Sequence, residues 1–558
     1  MPDVNEQQIT LQAVDWLVIV LYFVAILGIG AYLKRFGDSK DDFFLAGRRN
    51  SSWVAGLAFL SANLGALEIL GWTGGTVKYG MFVSHFYWIG AIPAMLFLAL
   101  YMMPFYYSSK IHSIPGYLLL RFDEKNRLLN AFSFGFMTVL MSGINLYLMA
   151  VVFHIVLGWD MHVSIWISAA AVAAYITMGG LLSAILTEIV QFFLIWFGLF
   201  LVALLGIIEV GGVNELLGGL PDRMSGLWST AADPGANNMG VTWLGIVLGL
   251  GFVLSFGYWT TDFLIVQRAF SARNLQAARN TPVIASFFKM ALPFIVVGGG
   301  LVAWKLQQTQ GSGFELMTRG GEVWYDSALP LLIARYYPAG LVGLGITGLL
   351  AGFMAGQAGN VSAFNTVWTY DIYRALFRRD ATDKHLVLVG RITTIVGIFL
   401  SILTAYWAMA FESIMDYIQA IFSWVNAPLF ATMLLAMFWK RTTSKGAFWG
   451  LLVGMLSSFF LFIALRFGWI SPYAVTLSSH PSDMAENLWR AWWAWLITFV
   501  LTIVISLQTK PKPDGELVGL VRGLTDVSAL KKVPLWRKPE MWAAIALATC
   551  IVLNIYFW

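Results

Sequence analysis

Polar and ionisable side chains interrupt several stretches of this chain that are otherwise apolar. Asn63 and Glu68 lie in "SANLGALEILGW", residues 61–72. Glu188 lies in "LTEIVQ", Asp262 in "LSFGYWTTDF" and Lys289 in "SFFKMALPF", while Asp416 and Gln419 stand one helical turn apart. An ionisable group at the centre of a membrane helix costs about 2.5–3.5 kcal/mol, so each must face a cavity, find a partner or lose its charge. Asn63 and Gly65 favour local unwinding, which would free backbone carbonyls to bind a cation or a solute. Lys289 needs a carboxylate partner or solute oxygens. Asp262 is expected at an inner gate or paired with Arg268, and Glu188 near a water boundary. Tyr258 and Trp259 could stack on an apolar face of a solute. For each residue a structural hydrogen bond or plain packing is the alternative. The chemistry on offer is binding. No nucleophile–base pair is apparent, the histidines (His85, His112, His154, His162, His385, His480) are scattered, and Cys550 is the single cysteine. Covalent catalysis, a metal cluster and a disulfide framework are therefore not expected.

These residues need membrane helices to position them. Apolar residues make up 59% of 558 and charged ones 12%, against roughly 45–50% and about 25% in soluble domains. About fourteen runs approach the length of roughly 20 residues that crosses a bilayer. They are 13–32, 53–79, 82–108, 128–157, 163–178, 180–208, 242–265, 281–304, 339–372, 386–409, 414–438, 446–466, 489–508 and 541–557. The first run lacks a basic flank and a cleavage site and is expected to stay as a span.

Lys and Arg concentrate in alternate loops: Lys34, Arg35, Lys40, Arg48 and Arg49, then 109–128, 266–280, 374–385, 440–445 and 509–540. The other loops carry isolated basic residues such as Lys78, Arg223, Lys305, Arg319 and Arg335. Basic loops stay cytoplasmic, so both termini are expected on the extracellular or periplasmic side of the cell (inner) membrane. The net charge of +5 is topological, and no nucleic-acid partner is expected. "GGTVKYG" and "VGGGLVA" read as close helix packing rather than phosphate loops. The two interrupted segments, 53–79 and 242–265, each open a block of five spans, the footprint of inverted repeats with a binding site at mid-membrane.

"FFLAGRRNSSW" (43–53), "MGGLLSAILTEIVQ" (178–191), "YWTTDFLIVQR" (258–268), "YDIYR" (370–374) and "AMFWKRTTSKGAFWGLLVGML" (436–456) stand in this order along the chain. In type, order and spacing they resemble the sodium/solute symporter family, the last of them its second signature. The sodium/glucose and bacterial sodium/galactose branch is most similar. The resemblance implies an all-α polytopic membrane protein with the LeuT-type five-plus-five inverted repeat, one span before it and three after. The division is 1–52, a first repeat 53–209, a loop 210–241, a second repeat 242–438, and 439–558 with a cytoplasmic connector at 509–540.

By that likeness the solute, a small molecule, would meet Asn63, Glu68, Tyr87, Ser255, Lys289 and Gln419, with Tyr258 at the inner gate and Trp259 beside it. Sodium as coupling ion would lie between the Ser61 and Leu64 carbonyls and Gly352, Ala355 and Gly356, with Glu188 nearby. Two departures stand out. Ala355 and Gly356 replace the family's paired hydroxyls, which leaves protons, or no ion, as the alternative coupling. Tyr87 replaces an acidic sugar ligand, and Met141 and Gly90 lack polar reach, so a cationic or partly aromatic solute is an option through cation–π contact. The reading is a cation-coupled symporter of a sugar or other polar metabolite, in which one chain in the bilayer suffices and no cofactor is needed. The reading from another class is a solute-sensing membrane receptor.

Overall fold

Without water, a backbone must satisfy its hydrogen bonds internally, and apolar runs of this length do so as helices. The computed structural model describes residues 11–33, 46–65, 67–319, 321–409, 414–524 and 534–558. Lys34, Arg35, Lys40, the start of "FFLAGRRNSSW" and residues 525–533 of the connector lie outside them. The main helices are α1 (Ala13–Leu33), α2 (Ser52–Asn63), α3 (Leu67–Ser84), α4 (Phe86–Ser108), α5 (Ile114–Arg121), α6 (Glu124–Leu157) and α7 (Met161–Glu209). After an outer loop come α8 (Gly245–Thr261), α9 (Phe263–Phe270), α10 (Leu275–Gln308), α11 (Leu341–Leu376), α12 (Asp383–Ala408) and α13 (Ile414–Phe438). The chain ends with α14 (Ser444–Arg466), α15 (Asp483–Gln508) and α16 (Pro539–Tyr556). The strand pairing described is one short hairpin, Thr318–Arg319 with Glu322–Val323.

Among the described residues, eleven helices are long and apolar enough to cross a membrane, or up to thirteen if each of two bent pairs, α2/α3 at 57° and α8/α9 at 48°, is one span. The bends fall within the two segments expected to be interrupted. The expected run 163–178 falls on the shorter apolar piece Met161–Ala174 inside the 49-residue α7. Both ends of α7 lie at one face. His162 stacks on Tyr406 at 5.4 Å and Glu209 pairs with Arg335 at 2.6 Å, while α11 and α12 carry the chain from Arg335 across and back to Tyr406. The two apolar pieces described within α7 are Met161–Ala174 and Ser183–Glu209.

The same face holds both ends of the described chain. Asp15 accepts from the Gly340 and Gly343 amides at 2.7 Å, and the Trp558 carbonyl accepts from Trp228 and Ser229 at 3.1 and 3.2 Å.

Burial separates core from rim. In the most apolar stretch of α6, α11 and α13, 89% of residues are buried, against 28% in α1, 28% in α14 and 22% in α16. The rim helices present side chains such as Leu21, Phe460 and Ile551 outward, as lipid-facing helices do. Inside, the "VGGGLVA" glycines act as expected: a Cβ on Gly300 would meet the Thr73 carbonyl and Thr76 at 2.5 Å. Close approach of α10 to α3 therefore needs a glycine there.

Candidate functional site: a cavity at two helix breaks

The first break follows from Asn63 and Gly65. Ser51 caps α2 by accepting from the Val54 amide, and the helix ends at Leu64, whose amide returns to Leu60 and Ser61. Gly65 then donates to the Asn63 carbonyl at 2.8 Å, a tight turn that no helix contains. The broken backbone lies directly on α11. A Cβ on Gly356 would sit 2.9 Å from Gly65 Cα, and one on Gly352 would sit 2.8 Å from the Leu64 carbonyl oxygen. At the second break, Asp262 turns extended (ψ 115°) and its carboxylate caps α9 by accepting from the Leu264 amide at 3.0 Å.

Between the breaks lies one polar network. Lys289 Nζ donates to Glu68 Oε1 at 2.6 Å and to Asn63 Oδ1 at 2.5 Å, and Asn63 Nδ2 donates to the Tyr258 hydroxyl at 2.8 Å. The ammonium also stands over the rings of Tyr87 and Trp259, 4.9 and 5.1 Å from their centroids. Lys289 is 2% exposed and Glu68 6%, so neither charge is left to water. All eight candidates, Asn63, Glu68, Tyr87, Ser255, Tyr258, Trp259, Lys289 and Gln419, line one cavity of about 90 Å³. The lining also includes the apolar side chains of Leu250, Leu254, Met141, Met415, Ile418 and Phe422. Gly90 serves the site indirectly: a Cβ there would lie 2.2 Å from the Ser255 hydroxyl.

Asn145 and Asn360 also line the cavity and were not singled out by sequence. Asn145 Oδ1 is buried without a hydrogen-bond partner among the described residues, and a Cβ on Gly65 would lie 2.9 Å from it. The signal was there to find: an amide inside the apolar run of α6, one turn beyond Met141.

The whole chain resembles known carriers. Residues 43–454 match the sodium:solute symporter family. The chain belongs to the sodium:solute symporter family. Sodium/glucose cotransporter 4 of Danio rerio is 28% identical over 96% of this chain and 85% of its own length. The sodium/glucose cotransporter of Vibrio parahaemolyticus is 26% identical over 90% and 92%. A solved Na+-coupled sialic acid symporter, in a substrate-bound outward-open state, superposes with a TM-score of 0.74 at 20% identity, covering 90% of this chain and 99% of that one. The fold is thus the LeuT type, and this family member is a transporter, not an enzyme.

Membership also explains the 436–456 signature in physical terms. Gly446, Gly450 and Gly454, one turn apart, face Ser506, Thr502 and Thr498, and a Cβ on each would fall within 2.3 Å of a hydroxyl oxygen. The signature glycines hold α14 against α15 and lie away from the cavity.

Among the cation candidates, Ser61, Leu64 and Ala355 are fully buried. Leu64 meets Gly352 as described, and Ser61 Oγ has no hydrogen-bond partner among the described residues. Glu188 is corrected: it is not at a water boundary but fully buried, gripped by Arg268 through Nη2 at 2.5 Å and Nε at 3.3 Å. That pair also corrects the option of Asp262 with Arg268, since Asp262 is spent as a helix cap. Lys78, placed with the outer loops by sequence, ends a helical turn and pairs with Asp416 at 3.0 Å, joined by the Tyr79 hydroxyl at 3.1 Å. The cation–π surface expected to favour a cationic solute is filled by Lys289.

Proposed function

We propose that the protein carries a small uncharged polar solute, such as a sugar or a polar metabolite of similar size, together with sodium, by alternating access. The observation that supports this best is a stack of three ion pairs. Lys78–Asp416 lies toward the face of the chain ends, Glu68–Lys289 at the cavity, and Glu188–Arg268 toward the opposite face. Each joins a residue of 53–209 to a residue of 242–438, the stretches we assign as the two repeats. Rocking of one repeat against the other would open one outer pair while the other holds. Both pairs are made here, and a cavity of about 90 Å³ is well below the roughly 300–1,000 Å³ of ligand sites. The solute therefore enters only as the repeats part.

Charge supports an uncharged solute. Glu68 and Lys289 neutralise each other, and a solute with one net charge would strand a charge in a poorly hydrated cavity. In this reading Asn63, Ser255, Tyr258 and Gln419 offer hydrogen bonds, and Tyr87 and Trp259 hold the ammonium in place. Sodium is assigned to the Ser61 and Leu64 carbonyls beside Gly352, Ala355 and Gly356. Glu188 is assigned as a gate residue, because it would have to release a guanidinium to act as ligand or proton carrier. A second reading, a proton-coupled or uncoupled carrier, is favoured by one observation: Ala355 and Gly356 supply no hydroxyl. We place the protein in the cell (inner) membrane with both termini outside.

The test is uptake into liposomes under a sodium, proton or null gradient, with a panel of labelled hexoses, polyols, amino acids and amines. Thermal unfolding in sodium against choline at equal ionic strength runs beside it. A ligand at ten times its dissociation constant stabilises by about 1.4 kcal/mol. A sodium-specific shift with sodium-driven uptake of an uncharged solute is expected. Uptake driven by a proton gradient alone would select the second reading, and uptake confined to amines would overturn the solute class.

A further inference from the structure

Away from the transport cavity, a second cleft of about 580 Å³ opens where α4, α5, α6 and the end of α11 meet. It lies at the face opposite the chain ends, next to the residue 46–50 turn, because Arg48 Nη2 donates to the Ile111 carbonyl at its edge at 2.9 Å. Its volume is that of a small-ligand site.

The charges in the cleft are unequal. Lys110, Arg127, Arg374 and Arg379 line it against Glu124 and Asp371. The two carboxylates are both engaged. Glu124 pairs with Arg127, and Asp371, buried at 3% exposure, accepts from the Ser113 hydroxyl at 2.5 Å. Ser113 in turn accepts from the Gly116 amide at 3.0 Å and caps α5. Lys110, Arg374 and Arg379 make no ion pair among the described residues. Arg374 and Arg379 spend only Nε, each on a local carbonyl at 3.4 Å, which leaves their terminal nitrogens to a ligand. Lys110 is held at φ 51°, a left-handed conformation that an L residue keeps only when its surroundings impose it.

We propose that this cleft binds a phosphate group, with the guanidinium forks of Arg374 and Arg379 and the Lys110 ammonium as its ligands. Two sources share that chemistry: the phosphodiester of an anionic lipid and a soluble phosphate. Flanking residues point to lipid. Leu120, Leu376 and Phe377 are 44%, 50% and 73% exposed beside the basic rim, where acyl chains would cover them.

The experiment is native mass spectrometry and thermal unfolding of the full chain in a neutral detergent. Phosphatidylglycerol, phosphatidylcholine and inorganic phosphate are added in turn. Phosphatidylglycerol is expected to bind roughly tenfold tighter than phosphatidylcholine, with that preference lost in Arg374→Gln/Arg379→Gln and largely kept in Arg374→Lys/Arg379→Lys. Lys440→Gln/Lys510→Gln removes charge from the same face outside the cleft and is expected to leave the preference intact. Saturable inorganic phosphate binding that matches the lipid would support the site and make soluble phosphate its source. Equal binding of both lipids with no phosphate binding would overturn the proposal. So would equal losses in the cleft and control variants. Unfolding midpoints without lipid establish that each variant is folded, so a lost preference is not read from a misfolded chain.

Discussion

The two ion pairs that flank the cavity are built differently. Glu188 and Arg268 are both 0% exposed, and the guanidinium grips the carboxylate with two nitrogens. Arg268 also donates to the Leu264 carbonyl at 2.9 Å, and its neighbour Gln267 ties α9 to Ser362 and Thr366 of α11. Lys78 and Asp416 are 32% and 9% exposed, meet through one nitrogen, and share the carboxylate with Tyr79. Opening the first pair strands two charges where water does not reach; opening the second exposes them at a mouth already partly wet. In the proposed cycle the first pair would serve as a lock and the second as a latch.

That contrast can be broken experimentally. The largest effect is expected at the lock: Glu188→Gln or Arg268→Leu should destabilise by about 3–5 kcal/mol, because each leaves a buried charge alone. Denaturant unfolding checks this, and Glu188→Met/Arg268→Leu together should recover most of the loss. Single variants as stable as the parent would show the pair to be no lock.

Lys289→Met should cost less, about 3 kcal/mol, since the stranded Glu68 is 6% exposed and lines the cavity whereas Glu188 is fully buried. Solute binding should vanish in that variant. Glu68→Gln should impair solute binding while the fold survives, as read by calorimetry beside an unfolding curve; unchanged affinity would remove Glu68 from the site.

At the latch, Asp416→Asn should change stability by less than about 1 kcal/mol. It should nonetheless speed thiol labelling of Met415→Cys in a Cys550→Ala background, because the cavity mouth opens more often. The smallest effect is expected at Ala355→Ser. A restored hydroxyl should lower the sodium concentration at half-effect by roughly fivefold or less, about the worth of one polar contact. A variant indifferent to sodium would place the ion elsewhere.

The central triad of Asn63, Glu68 and Lys289 was legible because an amide, a carboxylate and an ammonium are each costly in an apolar run. Their partners were less so. Asp262 was the partner the sequence offered Arg268, and only the fold assigns Glu188 to it, across 80 residues. Lys78 looked like a loop residue because it closes a short helical turn at the end of a span. Asn145 and Asn360 were passed over because neither stands beside an ionisable residue in its apolar run.

By itself the sequence determined the apolar spans, the positions of both breaks and which loops carry the basic residues. Those follow from local chemistry: hydropathy, and weak helix formers such as Asn63 and Gly65. The tertiary structure alone decided which charges meet and that eight side chains from distant segments share one cavity. Pairing across a bundle depends on helix rotation and crossing. Those are set by packing contacts such as Gly65 on Gly356, which no window of sequence contains.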